Sequence, residues 1–336
     1  MTVLRSNPAV IGLSSGIAPR QNALWGLPRA LQRVALRLFV PVLAPVLRRL
    51  TGRLGFDLLQ QRGLHLTEVH YFRPMPDTRA LDATLWERES ALVGLDLRLE
   101  AQLALLDEFA RYRAEYEAFA AEPVQAGENC YYTDNGSYPG QDAAVLHCMI
   151  RHFKPRRIIE VGSGFSTLAA AGAIVANQHE DTSYECELTA IEPYPGEALR
   201  CGFPGLTRLI ERRVQEVPLE FFQTLGENDI LFLDSTHVLA IGSDVQYEYL
   251  DIIPRLRPGV LIHAHDVAWP GEYPREWIID KKWFWHEQYL LQAFLAFNPC
   301  FEILYTGAYL NRKAPAQTAA FTSHRPGSSV WIRRVR

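Results

Sequence analysis

The stretch Ile158-Ile159-Glu160-Val161-Gly162-Ser163-Gly164-Phe165-Ser166-Thr167 decides the fold. An apolar, β-rich run ends in a carboxylate, and a Gly-x-Gly turn then hands the chain to a helix of small residues. Glycines at such a junction permit positive φ and close approach of backbone to a ligand. A dinucleotide loop of this shape receives a pyrophosphate on the helix N-terminus. Glu160, two residues before the first glycine, is badly placed beside a diphosphate and well placed beside a cation. Glu160, Gly162, Ser163 and Gly164 are therefore read as lining a cationic ligand.

Outward from this junction the pattern alternates. β-rich runs at 157–161, 188–192, 206–214, 229–234, 259–266, 301–310 and 329–335 are separated by helical stretches at 144–153, 167–176, 219–225 and 244–256. Strands alternating with helices imply βαβ units and a mainly parallel sheet. A further helix at 283–297 leads to the last two runs, which read as a hairpin. The expected fold class is α/β: a Rossmann-like seven-stranded sheet, mainly parallel with an antiparallel last strand, and an N-terminal helical region. Three regions are expected: 1–65 basic, 66–127 helical and covering the substrate, 128–336 catalytic.

The second run ends in Glu192-Pro193, thirty-two residues after Glu160. A carboxylate at that tip can accept both hydroxyls of a ribose, each a charge-assisted hydrogen bond. After the third run, Val214 and Gln215 are placed to meet an adenine edge. An acid for an ammonium or sulfonium, an acid for a ribose and an adenine contact, in this order, suit S-adenosylmethionine.

The sequence resembles class I S-adenosylmethionine-dependent methyltransferases, and more narrowly their bacterial methyltransferase-24 branch, associated with saccharide and secondary-metabolite clusters. The resemblance rests on His70-Tyr71-Phe72-Arg73-Pro74-Met75-Pro76-Asp77, Asp134-Asn135-Gly136-Ser137-Tyr138, the glycine loop, Phe232-Leu233-Asp234-Ser235-Thr236-His237, His263-Ala264-His265-Asp266 and Glu287-Gln288-Tyr289-Leu290-Leu291. It implies S-adenosylmethionine as cofactor, with Glu160, Gly162, Gly164 and Glu192 holding it. Ser166 departs from the broader class, which commonly carries a third glycine there. Residues 1–65 fall outside the resemblance.

Ligands of α/β sheets sit at the carboxyl ends of the strands, so the ends of the fourth and fifth runs border the transferred methyl. They carry Asp234, which also borders the cofactor, and His263-x-His265-Asp266. Two mechanisms are open. In one, His265 or His237 is a general base beside Asp234, because imidazole titrates near working pH. In the other, Asp234, His265 and Asp266 hold a divalent metal that acidifies the acceptor. These positions resemble those of metal-dependent O-methyltransferases, and a histidine ligand moves the preference from magnesium toward manganese or iron. The acceptor expected is a small molecule, a saccharide or secondary-metabolite hydroxyl. The loop 269–277, with Trp269, Tyr273, Arg275 and Trp277, is a candidate lid.

The 336 residues carry a formal charge of -4, which speaks against a nucleic-acid binder. Five scattered cysteines without a CxxC pair fit free thiols in a reducing, cytoplasmic setting better than a disulfide framework or zinc site. The N-terminal 65 residues are strongly basic, and Arg29, Arg33 and Arg37 recur at i+4 opposite apolar positions. This predicts an amphipathic helix within 25–50 that lies on an anionic inner membrane face, packs on the protein or joins two copies as a homodimer. The charge-free run 38–47 is too short to span a bilayer. Two other readings stand beside the methyltransferase: an NAD(P)-dependent oxidoreductase, and a catalytically silent binding module of the same fold.

Overall fold

A computed structural model describes residues 28–123 and 130–336. Two compact units divide between Ala83 and Thr84.

The second unit is built on seven strands: β1 (Arg157–Val161), β2 (Glu187–Ile191), β3 (Arg208–Ile210), β4 (Ile230–Leu233), β5 (Leu261–Ala264), β6 (Phe301–Thr306) and β7 (Val330–Arg334). Their order is β3-β2-β1-β4-β5-β7-β6. Neighbours among β1 to β5 are parallel, whereas β7 runs antiparallel to both β5 and β6. The order reverses direction between β1 and β4, and that switch opens a crevice at their carboxyl ends.

Alternation along each strand feeds two cores. Ile158, Leu188, Ile230, Phe232 and Leu261 pack with the Gly140–Phe153 and Phe165–Glu180 helices. Ile159, Val161, Leu231, Leu233 and Ile262 face the other way, toward Tyr249, Ile253 and Leu291. Burying a Leu or Ile side chain stabilises by about 1.5–3 kcal/mol. Strands apolar on both faces are therefore held as a fixed platform for their tips.

Three local expectations change. The last two strands are not a tight hairpin, because the helices Gly307–Lys313 and Pro315–Phe321 lie between them and β7 inserts between β5 and β6. The third strand stops at Ile210, and Val214–Glu216 form a 3₁₀ turn, so Gln215 sits beyond the sheet. The helix expected over 244–256 breaks into an α turn (Asp244–Tyr247), a π turn (Glu248–Ile252) and a 3₁₀ turn (Ile253–Arg255). Pro254 has no N–H to continue the ladder, and the π turn directs both Glu248 and Tyr249 into the interior.

The first unit contains the helices Arg29–Arg49 and Arg53–Gln60. The longer one runs past the basic stripe and continues through Pro41 and Pro45. Its segment Ala30–Arg49 has a mean hydropathy of 1.6 and is long and apolar enough to cross a membrane by length and composition. The charge-free run 38–47 alone is too short, but across the whole segment the apolar neighbours outweigh Arg33, Arg37, Arg48 and Arg49. Residues 70–77 form turns and bends without helix.

Candidate active site at the strand tips

The glycine turn is dictated by its neighbour. Gly162 has φ +78°, and a Cβ placed there would lie 1.9 Å from the carbonyl oxygen of Asp234. The amide of Asp234 in turn donates to the carbonyl of Val161 at 2.9 Å. The tips of β1 and β4 are thus in backbone contact because residue 162 has no side chain. We expect Gly162→Ala to cost more than about 1 kcal/mol from the left-handed backbone alone, and the clash to add to that. Denaturant unfolding measures the loss.

Glu160 is buried at the end of β1. Its Oε1 accepts from Ser166 Oγ at 2.6 Å, and its Oε2 has no hydrogen-bond partner among the described residues. Burial pushes this carboxyl up to about 8, the Ser166 and Thr167 hydroxyls only partly opposing it. Ser166, where the broader class has glycine, is thus the hydroxyl that ties Glu160 down. Glu192, beyond β2, accepts from Ser163 N at 3.3 Å and from Tyr194 N at 2.8 Å. The glycine loop therefore lies between two carboxylates, with Pro193 half-buried beside it. A buried acid with one oxygen unpaired, at the strand end before this loop, suits a ligand with an ammonium or sulfonium group, whose charge would favour the ionised carboxylate. Gln215 points elsewhere, donating to the carbonyl of Gly242 at 3.0 Å, while Val214 is buried.

Two histidines converge on the tips of β4 and β5. His237 Nε2 lies 3.3 Å from Asp234 Oδ1 and 3.6 Å from Asp266 Oδ2. His265 Nδ1 lies 3.3 Å from Asp234 Oδ1 and 3.5 Å from Asp266 Oδ1. Each histidine is tethered from behind by a buried acid. His237 Nδ1 donates to Glu287 Oε2 at 2.7 Å, and Glu287 also accepts from Tyr249 OH at 2.8 Å. His265 Nε2 donates to Asp142 Oδ2 at 3.2 Å, and Asp142 also accepts from the amides of Ser328 and Ser329, both at 2.9 Å. Burial alone would lower both histidines. For His237, hydrogen bonds to Asp234 and Glu287 override it; for His265, the charges of Asp234 and Asp266 and a hydrogen bond to Asp142 do so. Both imidazoles are held well above their ordinary range. Burial likewise opposes Asp234, but His265 and His237 keep it well below the usual carboxylate range.

Backbone strain marks the same place. His237 (φ +59°) and Asp266 (φ +55°) are both left-handed without being glycine, a conformation costing roughly 1–2 kcal/mol each. The carbonyl of His237 is gripped by the amides of His286 (2.9 Å) and Glu287 (3.3 Å). The start of the Glu287–Leu295 helix thereby fixes both the backbone and the ring of His237.

Asp234, His237 and Asp266 bring one ligand atom each within 4.8 Å of one another, a set able to hold a metal ion. The sequence reading placed His265 in this set; its Nδ1 lies 3.3 Å from Asp234 and 3.5 Å from Asp266, while its Nε2 is turned to Asp142. His263, one pleat back, is buried against Phe232 (3.8 Å between rings) and Trp331, and burial drives it down to about 3. It is a neutral wall residue.

Three further residues shape the site and were not singled out from sequence: Asp142, Glu287 as a histidine tether, and Tyr138. Asn135 Oδ1 accepts from Ser137 N and Tyr138 N, a turn that lays the Tyr138 ring 4.9 Å from His265. On the other side, Trp285 lies 4.5 Å from the ring of His237, and Trp277 and Trp283 pack on Trp285. Trp269 and Tyr273 of the expected lid are buried, while Trp283 is exposed. Arg275 lies over the Trp86 ring.

Residues 159–267, from β1 to the loop after β5, match the family described as a methyltransferase domain. An uncharacterized protein of Archaeoglobus fulgidus is 33% identical over 168 residues, covering 48% of this chain and 74% of that relative. Among solved structures, apo CmcI covers 65% of this chain and 88% of its own, at 15% identity and a TM-score of 0.36. That overlay is too loose to bear on mechanism. The chain belongs to the class I methyltransferases, a family whose methyl donor is S-adenosylmethionine.

Proposed function

We propose that this methyltransferase transfers a methyl group from S-adenosylmethionine to a hydroxyl oxygen of a small acceptor, a saccharide or secondary metabolite. The observation that carries the reading is the convergence of Asp234, His237, His265 and Asp266 at the tips of β4 and β5, beside the glycine loop. Glu160 receives the cationic end of the cofactor, and Glu192 its ribose. Family membership removes the nicotinamide reading. The silent-module reading predicts cofactor binding with no turnover on any acceptor.

The acceptor must be aligned with the sulfonium and lose its proton. Two carboxylates and an imidazole offer hard oxygen and borderline nitrogen donors, so Asp234, His237 and Asp266 fit magnesium, manganese or iron. A divalent ion held there supplies Lewis acidity that lowers the pKa of the acceptor hydroxyl. Glu287 keeps Nε2 of His237 aimed at the two aspartates. A second reading rests on His265, whose buried Nδ1 has no hydrogen-bond partner among the described residues and faces Asp234. There the deprotonated form of His265, a minor one because Asp234, Asp266 and Asp142 raise its pKa, takes the acceptor proton as a base, with Asp142 stabilising the imidazolium that results.

Turnover of labelled cofactor on extracts of the native organism, with and without a chelator, tests both. Loss of turnover with intact cofactor binding, restored by a divalent ion, supports the metal. Turnover indifferent to chelation supports His265. Glu192→Ala is expected to weaken S-adenosylmethionine by about 1.5–3 kcal/mol, the range for hydrogen bonds to a charged group. Calorimetry showing unchanged affinity in the folded variant would remove Glu192 from the cofactor site.

A further inference from the structure

We propose that the Arg29–Arg49 helix lies in the plane of an anionic lipid surface, its apolar side sunk among the acyl chains. This is independent of the reaction assigned above. At 100° per residue, Arg33, Arg37 and Arg48 fall within a sector of about 60° that also holds Ala30 and Ala44. Leu31, Leu38, Phe39, Val42 and Val46 occupy the opposite side, every one of them exposed by 50% or more, and Arg49 joins that side only at the last residue of the helix. That is a large apolar face left on the surface.

Charge says what covers it. From Pro28 to Phe56 the sequence contains Arg29, Arg33, Arg37, Arg48, Arg49 and Arg53 and no acidic residue. A basic stripe beside an apolar face complements an anionic headgroup layer over hydrocarbon. A second copy packed on the apolar face would leave the arginines on the outer sides, with no anionic partner. Length and hydropathy would also allow the helix to cross the bilayer. Spanning, however, would carry Arg33 and Arg37 into hydrocarbon, where charge is strongly disfavoured. Lying flat, the same side chains reach the headgroups by snorkelling.

The test is co-sedimentation of the full chain with preformed vesicles of phosphatidylcholine, with or without phosphatidylglycerol. The expected result is at least tenfold tighter binding to the phosphatidylglycerol vesicles, weakened by high salt. Leu38→Asp with Val42→Asp is expected to abolish binding. Arg33→Gln with Arg37→Gln should remove most of the preference for phosphatidylglycerol and leave a residual affinity for both vesicles. Equal binding to neutral and anionic vesicles overturns the proposal, as does wild-type binding by the double aspartate variant. A vesicle-free dimer dissolved by the aspartate substitutions also overturns it, assigning the face to a second copy of the chain.

Discussion

His237→Ala is expected to lower kcat by about 10²–10³-fold, the loss that follows when a ligand is removed from an ion whose Lewis acidity is worth several kcal/mol, with little change in S-adenosylmethionine affinity. His237 touches both tip carboxylates and no residue of the glycine loop. The split separates chemistry from cofactor binding, and isothermal calorimetry beside steady-state kinetics reads both. His237→Gln tests the tether: an amide preserves volume and one hydrogen bond but not the imidazole nitrogen between Asp234 and Asp266. If either variant keeps wild-type kcat/KM on the true acceptor, His237 takes no part in the reaction. His265 then becomes the residue to replace.

The second large effect is on stability. Asp142→Ala is expected to destabilise the fold by about 3–5 kcal/mol, because removing one partner of a buried ion pair strands the other. The stranded groups are the His265 ring and the amides of Ser328 and Ser329. The pH dependence has two sides. Burial opposes ionisation of Asp142, but His265 and the serine amides outweigh it and hold its carboxyl below the ordinary range. Its contribution is therefore present above the unfolded carboxylate pKa and fades as pH falls through the folded value. His265 is raised, so its contribution is full below about 6.5, the unfolded imidazole pKa, and fades as pH rises through the folded value. Urea titrations across pH should show wild type losing stability toward both extremes and Asp142→Ala with a flatter profile. A variant as stable as wild type would mean that water replaces the carboxylate at no cost.

Much of this was legible in the sequence. Strand alternation and the Glu-x-Gly-x-Gly junction defined the sheet, its parallel core and the antiparallel last strand, because period-2 burial and glycine chemistry are local. The tips carrying Asp234, His237, His265 and Asp266 followed from chain order. The tethers did not. Asp142 stands near the start of a helix 123 residues before His265, and Glu287 lies 50 residues beyond His237. Nothing in a helical stretch distinguishes an acid facing water from one turned inward. Both imidazoles reach the two aspartates, and which ring nitrogen each one presents to them is set by those tethers. The helix pair between β6 and β7 was missed because 301–310 reads as one long strand and the segment after it as the loop of a hairpin.

The place of β7 carries a kinetic consequence. The last strand in chain order is not at an edge of the sheet but between β5 and β6, and the residues just before it supply the amides that hold Asp142. During synthesis the first five strands can pair as they emerge, yet β6 has no neighbour until residues 330–334 arrive. Until then β5 presents an open edge, a template for pairing with another chain. Completion of the sheet and tethering of His265 therefore coincide, and a nascent chain holds no finished active centre while its final strand is still unmade.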